Sequence, residues 1–226
     1  MVTLIAEDLL LLLLDDASGK LTGTSYPQPA LGGALLIELA LVEAVAVEEK
    51  KGLWTSAKVR PTSAVPEDAL LRAGYDLVSE KDRGAQDLVD RLGKGLKERL
   101  ADRLVERGVL ERREDKLLGM FPRTRWPAAD RTHEEQVRRS LTAVLVSGAE
   151  PDQRTAALVS VLSAIDKAHK VVDHHGMSSR DVRKRAKLIS EGAWAAKAVR
   201  DAISASTAAI AAVAASTAAT TAATSS

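Results

Sequence analysis

The chain has 226 residues, 46% of them hydrophobic and 28% charged, with a formal net charge of +1 and no cysteine. That length can bury one substantial core, and the lack of cysteine excludes disulfide scaffolds, thiolate metal sites and thiol nucleophiles. Aromatic residues make up only 3%, so leucine, valine and alanine must fill the core, which favours helices over strands.

In chain order, residues 3–14 read as a short apolar helix opened by Thr3, with Glu7 and Asp8 near its first turn. The apolar run at 9–14 is far shorter than the roughly 18–20 residues of a membrane span. Asp8, Asp15 and Asp16 bracket it and no basic region precedes it, which argues against a signal peptide. Residues 15–33 carry the glycine, serine and proline of a loop. Residues 34–45 are apolar nearly all round, with Glu38 the early charge, and belong inside the domain. A hairpin is expected over 46–60, with Val45 and Val47 leading to Lys50, Lys51 and Gly52, then Trp54 and Val59. Pro61 and Pro66 lead into a helix at 67–79.

The helix predicted over 84–107 repeats leucine every fourth residue, at Leu88, Leu92, Leu96, Leu100 and Leu104, which turns one stripe toward the core. Glu98, Asp102, Glu106 and Arg99, Arg103, Arg107 form two ridges placed to pair along the helix. Lys94 lies four residues from both Asp90 and Glu98. Lys97 has Gly93, Lys94, Leu100 and Ala101 at its pairing positions, so no acidic partner is expected on its own helix. Gly108 ends the helix. Residues 109–113 and 116–121 read as two strands joined by Glu114 and Asp115. Leu117, Leu118, Met120 and Phe121 are too closely spaced for one buried face; an apolar tip of this kind marks an interface or a membrane contact, or packs inward. After Pro122 and Pro127, helices are expected at about 133–147, 152–173 and 178–213. Residues 204–226 form an Ala/Ser/Thr-rich low-complexity tail, expected to fray for want of a packing face, which leaves 1–203 as the domain.

Charge is spread unevenly. Residues 1–52 hold three Lys/Arg against eight Asp/Glu, net −5, whereas residues 91–125 hold eleven Lys/Arg against six Asp/Glu, net +5. A basic third suits an acidic partner, or else is a solvated helix surface. No catalytic pattern accompanies it. His133, His169, His174 and His175 fit no metal-ligand spacing, Gly93-Lys94-Gly95 lacks the rest of a phosphate loop, and no nucleophile elbow occurs. No enzyme, metal or cofactor is expected.

Five blocks then occur in order. They are Leu4-Ile5-Ala6-Glu7-Asp8-Leu9; Leu35-Leu36-Ile37-Glu38-Leu39-Ala40-Leu41; Arg99-Leu100-Ala101-Asp102-Arg103-Leu104-Val105-Glu106-Arg107-Gly108; Gly119-Met120-Phe121-Pro122-Arg123-Thr124-Arg125-Trp126-Pro127; and Ala149-Glu150-Pro151-Asp152 with Thr155-Ala156-Ala157-Leu158. Together they resemble the Golgi phosphoprotein 3 family over residues 2–200, as a bacterial-type member. The resemblance implies a mainly α fold, a single compact helical domain with a projecting β-hairpin. It also implies a non-enzymatic peripheral membrane protein, cytoplasmic and on the inner face of a membrane. Eukaryotic members bind phosphatidylinositol 4-phosphate and hold glycosyltransferases in the Golgi through their cytosolic tails. There a Trp, an Arg and two basic helix residues grip the phosphate; aligned without gaps, these positions fall on Gly23, Gly32, Lys94 and Lys97.

Lys94 and Lys97 are thus the expected headgroup contacts, with Tyr26 near enough to stand in for the Trp. Leu117, Leu118, Met120 and Phe121 are the expected membrane or self-association surface. The partners this implies are an anionic phospholipid membrane, a second copy through hairpin 111–121, and a protein client. Two other readings stay open. One is a protein-interaction scaffold; the other is a winged-helix-like nucleic-acid binder, since a basic helix followed by a short hairpin also describes that unit.

Overall fold

In the computed structural model, which describes residues 3–22, 26–48, 57–117, 121–192 and 197–223, a long apolar stretch becomes the axis of the fold. This is α2 (Pro27–Leu41), buried continuously from Pro29 to Ala40. Around it pack α1 (Ile5–Leu13), α3 (Ala69–Ser79), α4 (Ala85–Gly93), α5 (Leu96–Glu106), α7 (Gln153–Ala164) and α9 (Lys197–Ala223). Two further helices, α6 (Thr132–Leu145) and α8 (Ser179–Glu191), lie against α7. One small antiparallel sheet is ordered β1 (Val45–Glu48), β2 (Lys58–Pro61), β3 (Arg83–Gly84), with Val45 opposite Pro61 and Lys58 opposite Gly84. A separate ribbon pairs β4 (Arg113–Leu117) with β5 (Phe121–Arg125), and these strands pack chiefly on each other. The fold is mainly α. Trp54 and the turn of the first hairpin lie outside the described residues. Among the described residues, no helix is long and apolar enough to cross a membrane.

The leucine stripe behaves as expected: Leu88, Leu92, Leu96, Leu100 and Leu104 are all buried. Several boundaries differ, each for a physical reason. Gly32 and Gly33, read as loop, sit inside α2. A Cβ at position 32 would stand 2.0 Å from the Val89 carbonyl oxygen, and one at position 33 would stand 2.8 Å from Ile210 Cδ1. These glycines are contact points where α4 and α9 press on the axis, rather than breaks in it.

The single helix expected over 84–107 is two helices, because Gly95 takes a left-handed φ of 64° between them. The helix expected over 152–173 ends at Ala164; Asp166 turns with a φ of 54°, and a single 3-10 turn (Ala168–Lys170) follows. The helix expected over 178–213 is divided into α8 and α9. The tail also departs from expectation. α9 runs through it to Ala223, and Ile203, Ser206, Ala209 and Ile210 are buried. Small side chains let this helix lie close to α2 and α4, so they supply a packing face instead of lacking one.

In the second hairpin, Glu114 and Asp115 are not the turn. They lie in β4 opposite Thr124 and Arg123, and the strands are joined through 118–120. Asp115 fixes this register from across the ladder, taking hydrogen bonds from Arg123 Nε and Nη2 at 3.1 Å and a further one from Arg125.

Candidate functional site

Charge pairing decides which cations remain for a partner. Glu7 is fully buried in α1, accepts from the Leu4 amide at 2.7 Å, and is held by Arg103 and Arg107 of α5 at 3.0 Å. Arg103 also makes a two-pronged bond to Asp68, at 3.0 and 2.8 Å. Burial pushes the Asp68 carboxyl up, but the Arg103 bonds and the amides of Leu71 and Leu70, which it caps, prevail and hold it below its ordinary value. The expected pairing along α5 is thus replaced by pairing across the fold. Glu7 and Asp68 draw Arg103 and Arg107 inward, and much of the +5 segment is neutralised internally.

Lys94 and Lys97 are not among those consumed. Lys94 caps the C-terminus of α4 and is exposed; among the described residues no carboxylate lies within ion-pair distance of it. The left-handed Gly95 then redirects the chain, and the buried Leu96 anchors the start of α5. Lys97 is half-buried. Its Nζ stands 4.6 Å from the centroid of the Trp126 ring, a cation–π contact. That indole is itself buried. Glu98 supplies the acidic neighbour that spacing did not anticipate, 3.6 Å away, because adjacent side chains in a first helical turn can lean together. Both groups of that pair are partly solvated, so it contributes little.

Two further elements complete the surroundings. The N-terminus of α2 abuts the end of α4: a Cβ on Gly93 would lie 2.1 Å from the Gln28 carbonyl oxygen, and Gln28 Nε2 donates to Asp90 Oδ1 at 2.9 Å. The positive end of the α2 dipole is therefore next to Lys94, although Pro27 and Pro29 remove two of its free amides. On the other side, the loop over 15–22 closes on Trp126, whose amide donates to the Gly19 carbonyl at 3.3 Å. Gly19 has a φ of 61°, and a Cβ there would lie 2.3 Å from the Trp126 backbone.

The α4–α5 break thus gathers two lysines, a helix N-terminus and a buried indole. The sequence assigns Trp126 no role, because the strand expected over 116–121 stops short of it, whereas β5 runs up to it. The position aligned with the family's Arg, Gly32, has no room for any side chain, and Gly23 lies outside the described residues. Tyr26 is the residue before α2 and is partly exposed. Of the apolar tip, Leu118 and Met120 lie outside the described residues, while Leu117 and Phe121 are the last paired positions of the ladder. Five residues of β5 separate Trp126 from that end, roughly 16 Å of strand.

A second polar cluster lies at the start of the chain, beside a cleft of about 290 Å³. His133 Nε2 is 2.8 Å from Asp8 Oδ1, Thr3 Oγ1 donates to the same oxygen at 2.6 Å, and Arg154 bonds Glu38 at 2.7 Å and the Thr3 carbonyl. A nucleophilic relay needs the imidazole between hydroxyl and carboxylate, one nitrogen on each. Here a single nitrogen faces both, with Thr3 Oγ1 3.1 Å away, so the cluster fastens the chain start to α6 and α7.

The Asp8 bond, opposed by burial, raises His133 above the ordinary imidazole value near 6.5. The protonated form is favoured in the folded chain, so this stabilisation is complete below the unfolded pKa and is lost as pH rises through the folded one. The difference in Tm between wild type and His133→Gln should be widest at about pH 5.5 and shrink toward about pH 8.5. A difference that stays constant with pH would remove the charge from this account.

The family model for Golgi phosphoprotein 3 (GPP34) matches residues 5–206. Comparison with curated proteins gives no match. The family match runs from α1 into α9, through every element that builds the α4–α5 junction, and on it the chain belongs to the Golgi phosphoprotein 3 (GPP34) family.

Proposed function

We propose that this protein docks reversibly on membranes by recognising anionic phospholipid headgroups, as a non-enzymatic adaptor, with Lys94 and Lys97 as the headgroup contacts. The observation that carries the reading is the α4–α5 junction. A lysine that is exposed and has no acidic partner among the described residues, and a lysine with its ammonium over an indole, stand beside the positive end of a buried helix. Membership of a family whose eukaryotic members bind phosphatidylinositol 4-phosphate supports it at the level of ligand class. Half of the family's phosphate contacts have no counterpart here, which favours a general anionic headgroup over that particular phosphoinositide. Each lysine near an acidic bilayer contributes about 1 kcal/mol, so two alone give only weak binding. The apolar residues of hairpin 111–121 are the proposed second attachment, each buried side chain adding to the affinity in proportion to its area.

Co-sedimentation with vesicles tests this directly. Wild type is expected to pellet with phosphatidylcholine vesicles carrying acidic lipid and not with phosphatidylcholine alone. Lys94→Glu with Lys97→Glu should weaken binding at least about tenfold, and salt should weaken the wild type in the same direction. Equal pelleting of wild type and the double variant, both folded by circular dichroism, would refute the assignment.

Self-association through the hairpin is a second reading, supported by the two-stranded ribbon β4–β5, which leaves an edge on each strand for pairing. Light scattering of wild type against Leu118→Asp with Phe121→Asp separates it from membrane contact. The nucleic-acid alternative has less in its favour, since Arg103 and Arg107, which would face the phosphates, are bound to Glu7.

A further inference from the structure

Beside the loop over 15–22, a cavity of about 360 Å³ opens between the end of α1, the start of α6 and the 3-10 turn. Four cations line it: Arg131, Arg138, Lys167 and Lys170. Two of these are already used. Arg131 pairs with Asp16 at 2.7 Å, and Arg138 pairs with Glu134 at 2.6 Å and donates to the Val171 carbonyl.

The lysines are different. Lys167 precedes and Lys170 closes a 3-10 turn, in which side chains three positions apart eclipse, so the backbone brings the two side chains to the same side of the turn. Asp166, the nearest acid in sequence, is turned to Arg183 at 2.7 Å. Among the described residues no carboxylate lies within ion-pair distance of either lysine. Burial, and then the neighbouring Lys170, lower the pKa of Lys167, and the charge of Asp166 only partly opposes them.

We infer that this cavity is a binding site for a single phosphate group, held between Lys167 and Lys170 with the Arg131 and Arg138 guanidiniums at its edge. A phosphate monoester carries nearly two negative charges near neutral pH, which matches the two unneutralised lysines; a carboxylate would leave one unmatched. Asp15 and Asp16 also line the cavity. Asp16 is neutralised by Arg131, and Asp15 accepts from the Ser18 amide at 2.8 Å. The same chemistry is offered by a soluble phosphate ester and by a phosphate-bearing lipid headgroup. The site touches the loop over 15–22 but uses neither Lys94 nor Lys97, so it stands or falls separately from the membrane-docking reading.

The test titrates the full chain with inorganic phosphate, followed by phosphorus NMR, with ionic strength held constant by chloride. Saturable binding is expected for wild type and for Lys94→Gln with Lys97→Gln. It should weaken at least about tenfold in Lys167→Gln with Lys170→Gln and return in Lys167→Arg with Lys170→Arg. Identical titrations for wild type and the Lys167→Gln, Lys170→Gln variant, or no saturable binding by wild type, overturn the inference. The single Lys170→Gln variant alters an exposed side chain and gives the same comparison should the double variant lose its circular-dichroism spectrum. Vesicles of phosphatidylcholine with phosphatidic acid form the second arm. Reduced pelleting of the Lys167, Lys170 variant identifies a headgroup as the source, whereas unchanged pelleting with lost phosphate binding identifies a soluble ester.

Discussion

Replacing Glu7 with alanine is expected to remove about 3–5 kcal/mol of stability, the range seen when one partner of a buried ion pair is deleted. The carboxylate is fully buried, and it receives the Leu4 amide, Arg103 and Arg107 together. Without it two guanidiniums remain at the edge of the core; Arg103 keeps Asp68, but Arg107 has no other acid bonded to it among the described residues. For a domain of this size each kcal/mol moves Tm by about 2–4 °C, so a fall of roughly 6–20 °C should appear in thermal unfolding. Glu135→Ala is the matched control. Its partner Arg139 lies 3.8 Å away and both groups are well exposed, so a change within about 0.5 kcal/mol is expected. Similar Tm values for the two variants would mean that the buried contacts of Glu7 contribute no more than an exposed ion pair.

Gly32→Ala is expected to be nearly as damaging, at about 3 kcal/mol. The added methyl would meet the Val89 carbonyl oxygen at 2.0 Å and the Gly93 amide nitrogen at 2.7 Å. Both are backbone atoms of α4, so no side chain can swing aside, and two packed helices must separate along their contact. Gly95→Ala isolates the other cost of replacing glycine. Nothing lies within 4 Å of a Cβ there, and only the left-handed φ of 64° opposes the change, a penalty of about 1–2 kcal/mol. Denaturant midpoints should rank wild type above Gly95→Ala and Gly95→Ala above Gly32→Ala. The reverse order would show that α2 and α4 have slack between them.

These two positions also show what the sequence could and could not convey. Apolar periodicity is local, so the leucine stripe from Leu88 to Leu104 and the all-apolar block before Val45 announced their burial. Gly32 and Gly33 looked like a loop because glycine usually marks one; that they are helix contacts depends on Val89 and Ile210, which no local pattern links to them. Arg103 and Arg107 had acids at the right helical spacing, and only the tertiary fold shows that Glu7, almost a hundred residues earlier, captures them. Glu114 and Asp115 are common turn formers, yet bonds from Arg123 and Arg125 place Asp115 within a strand.

At the α4–α5 junction, the two lysines could be named from spacing and resemblance. Gly95 between them, the indole under Lys97 and the nearby end of α2 could not. The cavity beside the 3-10 turn left no mark in the sequence at all, because its cations come from the start of α6 and a turn that reads as ordinary helix.

The central position of α2 carries a consequence for how the chain comes into being. One flank of this helix is covered by α1, made before it, but Gly33 receives its partner Ile210 only after the whole stretch between them has been synthesised. Until then a strongly water-averse segment of the polypeptide has an open seam, and its closure joins residues far apart in sequence, the slow kind of contact. A nascent chain halted before α9 emerges should therefore be held by a chaperone or aggregate.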